Sequence, residues 1–185
     1  MPKLDLQGPL IRDWEARPFP AQQAAYADTR RDVACFAGVR GGKSRLGAEK
    51  TALRIWSEVV HQLQADPSAW DWRPLKETPS SSRDLPRKKY WVVAPTYSLA
   101  SESWTQLRAV FSRVEAALLH EVEGEIWLRT GVLVQRRTGS DERQLQAARL
   151  DGCWIDEVCT LSHPAVQQVR NRLIDRQGWL LMTGS

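Results

Sequence analysis

With 185 residues, 42% of them hydrophobic, the chain is long enough to bury one core without disulfides, which excludes the fibrous, disordered and disulfide-scaffold classes. A net charge of +4 and a pI near 9.2, carried mostly by arginine, permit a polyanionic partner but do not require one. Met1-Pro2-Lys3-Leu4-Asp5 has neither the basic nor the apolar region of a signal peptide, and no apolar run reaches membrane-spanning length, so the expected location is the cytoplasm, with no membrane partner.

Residues 1–19 hold three prolines and scattered charge and are expected to form an extended lead-in to a single domain over 20–185. A short helix is predicted over 22–31. Val33-Ala34-Cys35-Phe36 reads as a buried strand feeding Ala37-Gly38-Val39-Arg40-Gly41-Gly42-Lys43-Ser44, which has the character of a phosphate-binding loop. In such a loop the glycines let backbone N–H groups turn inward around the phosphates, the lysine neutralises β- and γ-phosphate charge, and the serine hydroxyl reaches Mg²⁺. The helix that follows, with Leu46, Leu53, Trp56, Val60 and Leu63 at helical spacing, adds its positive N-terminal end. One departure is visible at Ala37, where the full pattern has glycine; Gly38 beside it can serve instead.

Residues 65–89, with Pro67, Pro74, Pro79, Pro86 and Ser80-Ser81-Ser82, lack periodicity and read as a mobile insertion loop. Tyr90-Trp91-Val92-Val93-Ala94 is a second buried strand, followed by Pro95-Thr96 and a helix whose apolar face is Leu99, Leu107, Val110, Phe111, Val114 and Leu118. Ile126, Leu128, Val132 and Val134 alternate around Thr130-Gly131, which predicts a short antiparallel hairpin at the sheet edge. Cys153-Trp154-Ile155 is the third core strand, 164–175 a helix with Val166, Val169 and Leu173 inward, and Trp179-Leu180-Leu181-Met182 a fourth strand. Cys35, Cys153 and Cys159, in or beside these strands, are expected to be buried reduced thiols.

Strands alternating with helices predict a mainly parallel α/β sheet covered on both faces, with ligands bound beyond the carboxyl ends of the strands. The phosphate loop, Pro95-Thr96, Asp156-Glu157 and Thr183-Gly184-Ser185 all fall at such ends. Asp156 and Glu157 follow the strand directly, and adjacent residues leaving a strand diverge, so the two carboxylates can differ in task. Asp156 would hold Mg²⁺, while Glu157 could orient and deprotonate the water that attacks a γ-phosphate. The same Asp-Glu pair can also simply open a helix, where negative charge is favoured; its combination with Gly41-Gly42-Lys43-Ser44 favours ATP hydrolysis.

The chain from about residue 20 onward resembles the ATPase domain of the large terminase subunit of tailed bacteriophages. The matching pieces are Phe19-Pro20-Ala21-Gln22, the phosphate loop continuing as Arg45-Leu46-Gly47-Ala48-Glu49, Trp91-Val92-Val93-Ala94-Pro95-Thr96-Tyr97, Leu150-Asp151-Gly152-Cys153-Trp154-Ile155-Asp156-Glu157, and Leu181-Met182-Thr183-Gly184-Ser185. The resemblance implies a P-loop NTPase of the additional-strand catalytic-glutamate type. Its ATP and Mg²⁺ would be held by Gln22, Gly38, Val39, Arg40, Gly41, Gly42, Lys43 and Ser44, with Asp156 as the second metal residue. It implies Glu157, Lys43 and Arg40 as catalytic residues, Gln22 (or its neighbour Gln23) at the adenine, and Thr183, Gly184 and Ser185 as the motif coupling hydrolysis to motion. The implied setting is the cytoplasm of an infected bacterium, where a ring of such subunits on the portal protein, working with a small terminase subunit, drives double-stranded DNA into a procapsid.

Two departures from the family pattern stand out. Where many terminases carry Leu-Arg-Gly, a source of an arginine finger for the neighbouring subunit, this chain has Leu145-Gln146-Ala147; Arg143 and Arg149 flank the gap as candidate substitutes, or as surface salt-bridge residues. The family also continues past the coupling motif with another core strand, a linker and a ribonuclease-H-type nuclease domain, so an open edge beside the phosphate-loop strand and limited stability or self-association are expected. Two other readings stay open: a superfamily helicase fragment, whose acidic block usually runs Asp-Glu-Ala-His where this chain has Val158-Cys159 after Glu157, and a nucleotide-binding assembly module without turnover. The basic pairs within Arg87-Lys88-Lys89 and Arg136-Arg137 are candidate DNA contacts or solvated edges.

Overall fold

A computed structural model describes residues 20–38, 41–65, 88–112, 117–120, 124–128, 131–146 and 149–185. The lead-in over 1–19, most of the predicted insertion loop, Val39, Arg40, Val114, Arg87 and Ala147 lie outside the described residues.

The elements in chain order are α1 (Pro20–Ala27), β1 (Asp32–Phe36), α2 (Lys43–Ala65), β2 (Lys88–Ala94), α3 (Tyr97–Phe111), β3 (Ala117–His120), β4 (Glu125–Leu128), β5 (Val132–Thr138), β6 (Gly152–Ile155), α4 (His163–Ile174) and β7 (Trp179–Gly184), with 3₁₀ turns over Glu142–Leu145 and Val158–Thr160. The strands form one sheet in the order β1-β7-β6-β2-β5-β4-β3. β1, β7, β6, β2 and β5 run parallel, and β4 and β3 add antiparallel pairs at one side.

Period-2 alternation sends the strand residues to two separate cores. Tyr90 and Val92 of β2, Val132 and Val134 of β5, Trp154 and Leu181 face α2 and α3, where they meet Ile55, Trp56, Val59, Trp104, Leu107 and Phe111. Trp91, Val93, Cys153, Ile155 and Leu180 face the other way, onto Ala165, Val169 and Leu173 of α4 and onto Leu145. The near-continuous apolar runs of β2, β6 and β7 are what a parallel strand buried on both faces requires. No described helix is long and apolar enough to cross a membrane.

Several sequence expectations are corrected. The first helix ends at Ala27 rather than running to 31, because the Asp28 side chain accepts from the Arg30 N–H at 3.0 Å and turns the chain. Leu118 belongs to β3 and pairs with Trp127, not to the preceding helix, which is capped off at Ser112. The hairpin is only half peripheral: β5 pairs along its whole length with β2, from Lys88 opposite Val132 to Ala94 opposite Thr138. Ala65 closes α2, and Lys88 and Lys89 open β2, so the predicted loop is shorter at both ends. Of the three cysteines, all free, only Cys153 is buried; Cys35 is half-buried on β1 and Cys159 exposed.

Among the described residues β1 is paired on one side only, with β7, and Phe36 at its end is 60% exposed. The open edge expected beside the phosphate-loop strand is therefore present in the described residues.

A close approach at Gly47 fixes the seat of α2. A Cβ there would fall 2.3 Å from Cε2 of the buried Trp154 indole, so α2 can lie this near β6 only with glycine at that position. Gly47→Ala is expected to lower unfolding free energy by about 1–3 kcal/mol through overpacking. Urea denaturation checks this, and an unchanged midpoint would refute the tight seat.

Candidate nucleotide site

The loop after β1 is built around Gly38. Its carbonyl accepts from the Gly41 N–H at 3.1 Å and from the Lys43 ammonium at 3.0 Å, so the lysine side chain, 8% exposed, lies folded along its own loop. Gly42 has φ +70, a conformation that favours glycine, and a Cβ there would fall 2.9 Å from Gln22 Nε2 and displace that amide. Its carbonyl accepts the first α2 bond, from Leu46 N–H at 2.9 Å. Lys43 and Ser44 thus open a long helix whose N-terminal N–H groups face the loop, a ready anion site. Gln22 reaches the same loop from α1, donating from Nε2 to the Gly41 carbonyl at 3.2 Å. Val39 and Arg40 lie outside the described residues.

Two strands away, Asp156 sits just past β6, 3% exposed. A buried carboxylate needs donors, and it has them. The Thr183 hydroxyl donates to Oδ1 at 2.6 Å, the Ser103 hydroxyl to Oδ2 at 2.5 Å, and the Glu157 N–H to Oδ1 at 3.2 Å. Thr183 in turn accepts from the Trp154 indole N–H at 2.8 Å. The chain Trp154, Thr183, Asp156, Ser103 therefore ties β6, β7 and α3 together at one point. Ala37 N–H donates to the Gly184 carbonyl at 3.2 Å, which joins the phosphate loop to the same end of β7.

Glu157 is one of two non-glycine residues with positive φ among those described, at φ 51 and ψ 47. That left-handed conformation costs about 1–2 kcal/mol for a residue with a Cβ. Besides its N–H bond to Asp156, three hydrogen bonds hold it: its carbonyl accepts from the Thr160 hydroxyl at 2.9 Å and the Thr160 N–H at 3.1 Å, and its carboxylate accepts from the Ser185 hydroxyl at 3.0 Å. The half-buried Glu157 carboxylate and the buried Asp156 carboxylate thus occupy different surroundings.

The predicted residues that are described thus divide by place. Gln22, Gly38, Gly41, Gly42, Lys43 and Ser44 gather on one side of the sheet's carboxyl edge, and Asp156, Glu157, Thr183, Gly184 and Ser185 on the other, joined through Ala37 and Gly184. Arg143 is exposed on the 3₁₀ turn after β5, at the same edge. Arg149 precedes β6, at the opposite end of the sheet, and pairs with Asp175 at 3.5 Å. Thr96 caps α3, accepting from Leu99 N–H at 3.3 Å.

Neither basic pair is a plain solvated edge. Arg136 lies 4.4 Å over the Tyr97 ring and donates to the Ser101 and Tyr97 hydroxyls, whereas Arg137, on the other face of β5, lies 5.8 Å over Trp91. Lys88 pairs with Glu58, and burial followed by the nearby Arg137 charge holds the Lys89 ammonium below its ordinary pKa. Burial also pushes the Cys153 thiol far above its usual range, which makes it inert.

Sequence reasoning missed Ser103 and Lys50. Each is a polar residue on the inward stripe of a helix, Ser103 between Ala100 and Trp104 and Lys50 between Leu46 and Leu53, and that interruption was the available signal. Among the described residues no cluster of three or more His, Cys, Asp or Glu side chains could cage a metal. The donors at hand, the Ser44 hydroxyl and the Asp156 carboxylate, are hard oxygens that suit Mg²⁺ entering with phosphates rather than a soft-metal site.

Replacing Thr183 with Val keeps the shape, strips Asp156 of a donor and leaves the Trp154 indole N–H without its acceptor. A loss of about 1.5–3 kcal/mol is expected from a hydrogen bond to a buried charge, with Thr183→Ser retaining most of it. Equal stability of the Val and Ser variants in chemical denaturation would contradict the network.

No protein-family model matches the sequence, and no curated protein matches it. Solved structures do. The ATPase domain of the Thermus phage P74-26 large terminase aligns with TM-score 0.64 and 19% identity over 91% of this chain and 64% of that one. The HK97 bacteriophage large terminase aligns with TM-score 0.61 and 10% identity over 91% of this chain and 33% of that one. The large terminase of another thermophilic bacteriophage, in complex with ADP, aligns with TM-score 0.57 and 13% identity over 97% of this chain and 38% of that one. The chain thus spans just under two thirds of the Thermus phage domain structures, at 65% and 64%, and roughly a third of the longer terminases. It has the fold of the large terminase ATPase domains.

Proposed function

We propose that this chain is the ATP-hydrolysing motor domain of a phage DNA-packaging terminase. The single observation that supports it most is the joining of the glycine-rich loop to the Asp156-Glu157 pair across the ends of β1, β7 and β6, on a fold shared with terminases of which one was solved with ADP and with ATP-γ-S. Backbone N–H groups of the loop and of the start of α2 bind the triphosphate, and Lys43 exchanges the Gly38 carbonyl for phosphate oxygens. Gln22, and Arg40 in the loop, contact the base and the γ-phosphate. Ser44 and Asp156 would hold Mg²⁺, which neutralises phosphate charge when bound. Ser103 and Thr183 keep the Asp156 carboxylate in one orientation. Glu157 orients the attacking water and takes its proton, its carboxylate aimed by Ser185. Because Thr183 and Ser185 bond directly to Asp156 and Glu157, loss of the γ-phosphate is read by β7, the route by which hydrolysis moves the coupling motif. Arg143, exposed on the site's edge, is better placed than Arg149 to enter a neighbouring subunit's site in a ring.

In this proposal double-stranded DNA is the cargo and the portal protein and small terminase subunit are partners in the infected cell. Steady-state ATPase assays test the enzymatic core. Turnover is expected in the unmodified chain with Mg²⁺, falling about 10²–10⁴-fold in Glu157→Gln with ATP binding retained, and vanishing with weakened binding in Lys43→Ala. Turnover surviving both substitutions would sink the proposal, and no turnover in the unmodified chain would favour the assembly-module reading.

A further inference from the structure

None of the described α1 side chains is buried, so apolar burial does not fix this helix in place. Polar side chains of α2 do. Lys50, 3% exposed, donates to the carbonyls of Ala25 at 2.5 Å, Tyr26 at 3.2 Å and Asp28 at 2.6 Å, which matches the three hydrogens of its ammonium to the end of α1 and the first turn beyond it. Those carbonyls are the ones a helix end leaves unpaired, and they carry its partial negative charge, so a cation is favoured there. The residue before it, Glu49, accepts from the Tyr26 hydroxyl; one turn later, Arg54 donates to the carbonyls of Arg30 at 2.5 Å and Arg31 at 3.2 Å. All three anchors lie in the second and third turns of α2, the helix that the phosphate loop opens, and α1 carries Gln22 to that loop.

We propose that Lys50 is a positioning residue for base recognition: with Glu49 and Arg54 it locks α1 onto the phosphate-loop helix and thereby sets Gln22 at the base side of the nucleotide, an inference that rests on the ATP site proposed above. A lysine spent on three backbone carbonyls, rather than on a carboxylate, transmits the position of one helix to another without touching the ligand. Among the described residues Lys50 bonds to the end of α1 and not to the phosphate-binding loop, so base and phosphate affinity are expected to separate.

The test compares the full chain with Lys50→Met for binding of ATP, GTP and inorganic tripolyphosphate by calorimetry. Lys50→Met is expected to weaken ATP about tenfold and to erase most of the ATP-over-GTP preference, leaving tripolyphosphate affinity within about twofold, the pattern of lost base contacts with phosphate contacts intact. Gln22→Ala should give the same pattern, and the double variant should be no worse than either alone. Should Lys50→Met not fold, Tyr26→Phe removes the Glu49 anchor and is expected to shift ATP in the same direction by a smaller factor. Unchanged ATP affinity, or equal losses for ATP and tripolyphosphate, would overturn the positioning role while leaving the ATP site standing. An unmodified chain that binds no ATP would remove the site itself, and the inference with it.

Discussion

The carboxyl edge of the sheet is organised by the need to keep one buried carboxylate satisfied. Asp156 is out of water at the end of a strand that is apolar on both faces, and an unpartnered charge there would cost several kcal/mol. Its two oxygens recruit a hydroxyl from β7 and another from α3, and the β7 hydroxyl is itself fixed by the Trp154 indole. That indole stands where only a glycine on α2 leaves room. The helix α2 and the strands β6 and β7 therefore share one set of contacts.

This arrangement gives Asp156 and Glu157 separate characters from adjacent positions. The first is immobilised by donors inside the protein, and the second, half-buried on a left-handed backbone, accepts from Ser185 with its carboxylate. The roles proposed for them, an oxygen ligand for a metal and a base for water, need that difference. The β1 side of the edge is assembled another way, since among the described residues its strand is paired on one side only and its neighbouring helix α1 is held by the polar side chains of α2. The two walls of the candidate site thus rest on unlike physics, buried packing on one and cationic capping of backbone carbonyls on the other.

Much of this was legible in the sequence, and for identifiable reasons. Apolar runs such as Trp91-Val92-Val93-Ala94 and Cys153-Trp154-Ile155, each followed within two residues by a polar one, carry the parallel sheet and its candidate edge in their own spacing. Leu118 was misplaced because one apolar residue fits a helical face or a short strand equally well until its partner Trp127 is known. The parallel pairing of β5 with β2 was invisible since hairpin spacing speaks only to the local antiparallel neighbour. Ser103 and Lys50 were passed over as ordinary helical residues, because their partners, Asp156 and the end of α1, lie far off along the chain.

The most direct measurement is a crystal structure of the chain with Mg²⁺ and a non-hydrolysable ATP analogue. The triphosphate should lie on the N–H groups of Gly41, Gly42 and Lys43, with the Lys43 ammonium moved from the Gly38 carbonyl to phosphate oxygen, the metal between Ser44 and Asp156, and Glu157 facing the γ-phosphate. A nucleotide bound away from the loop, or a bound triphosphate with Asp156 still remote from the metal, would contradict the assignment of this edge as an ATP-hydrolysing site.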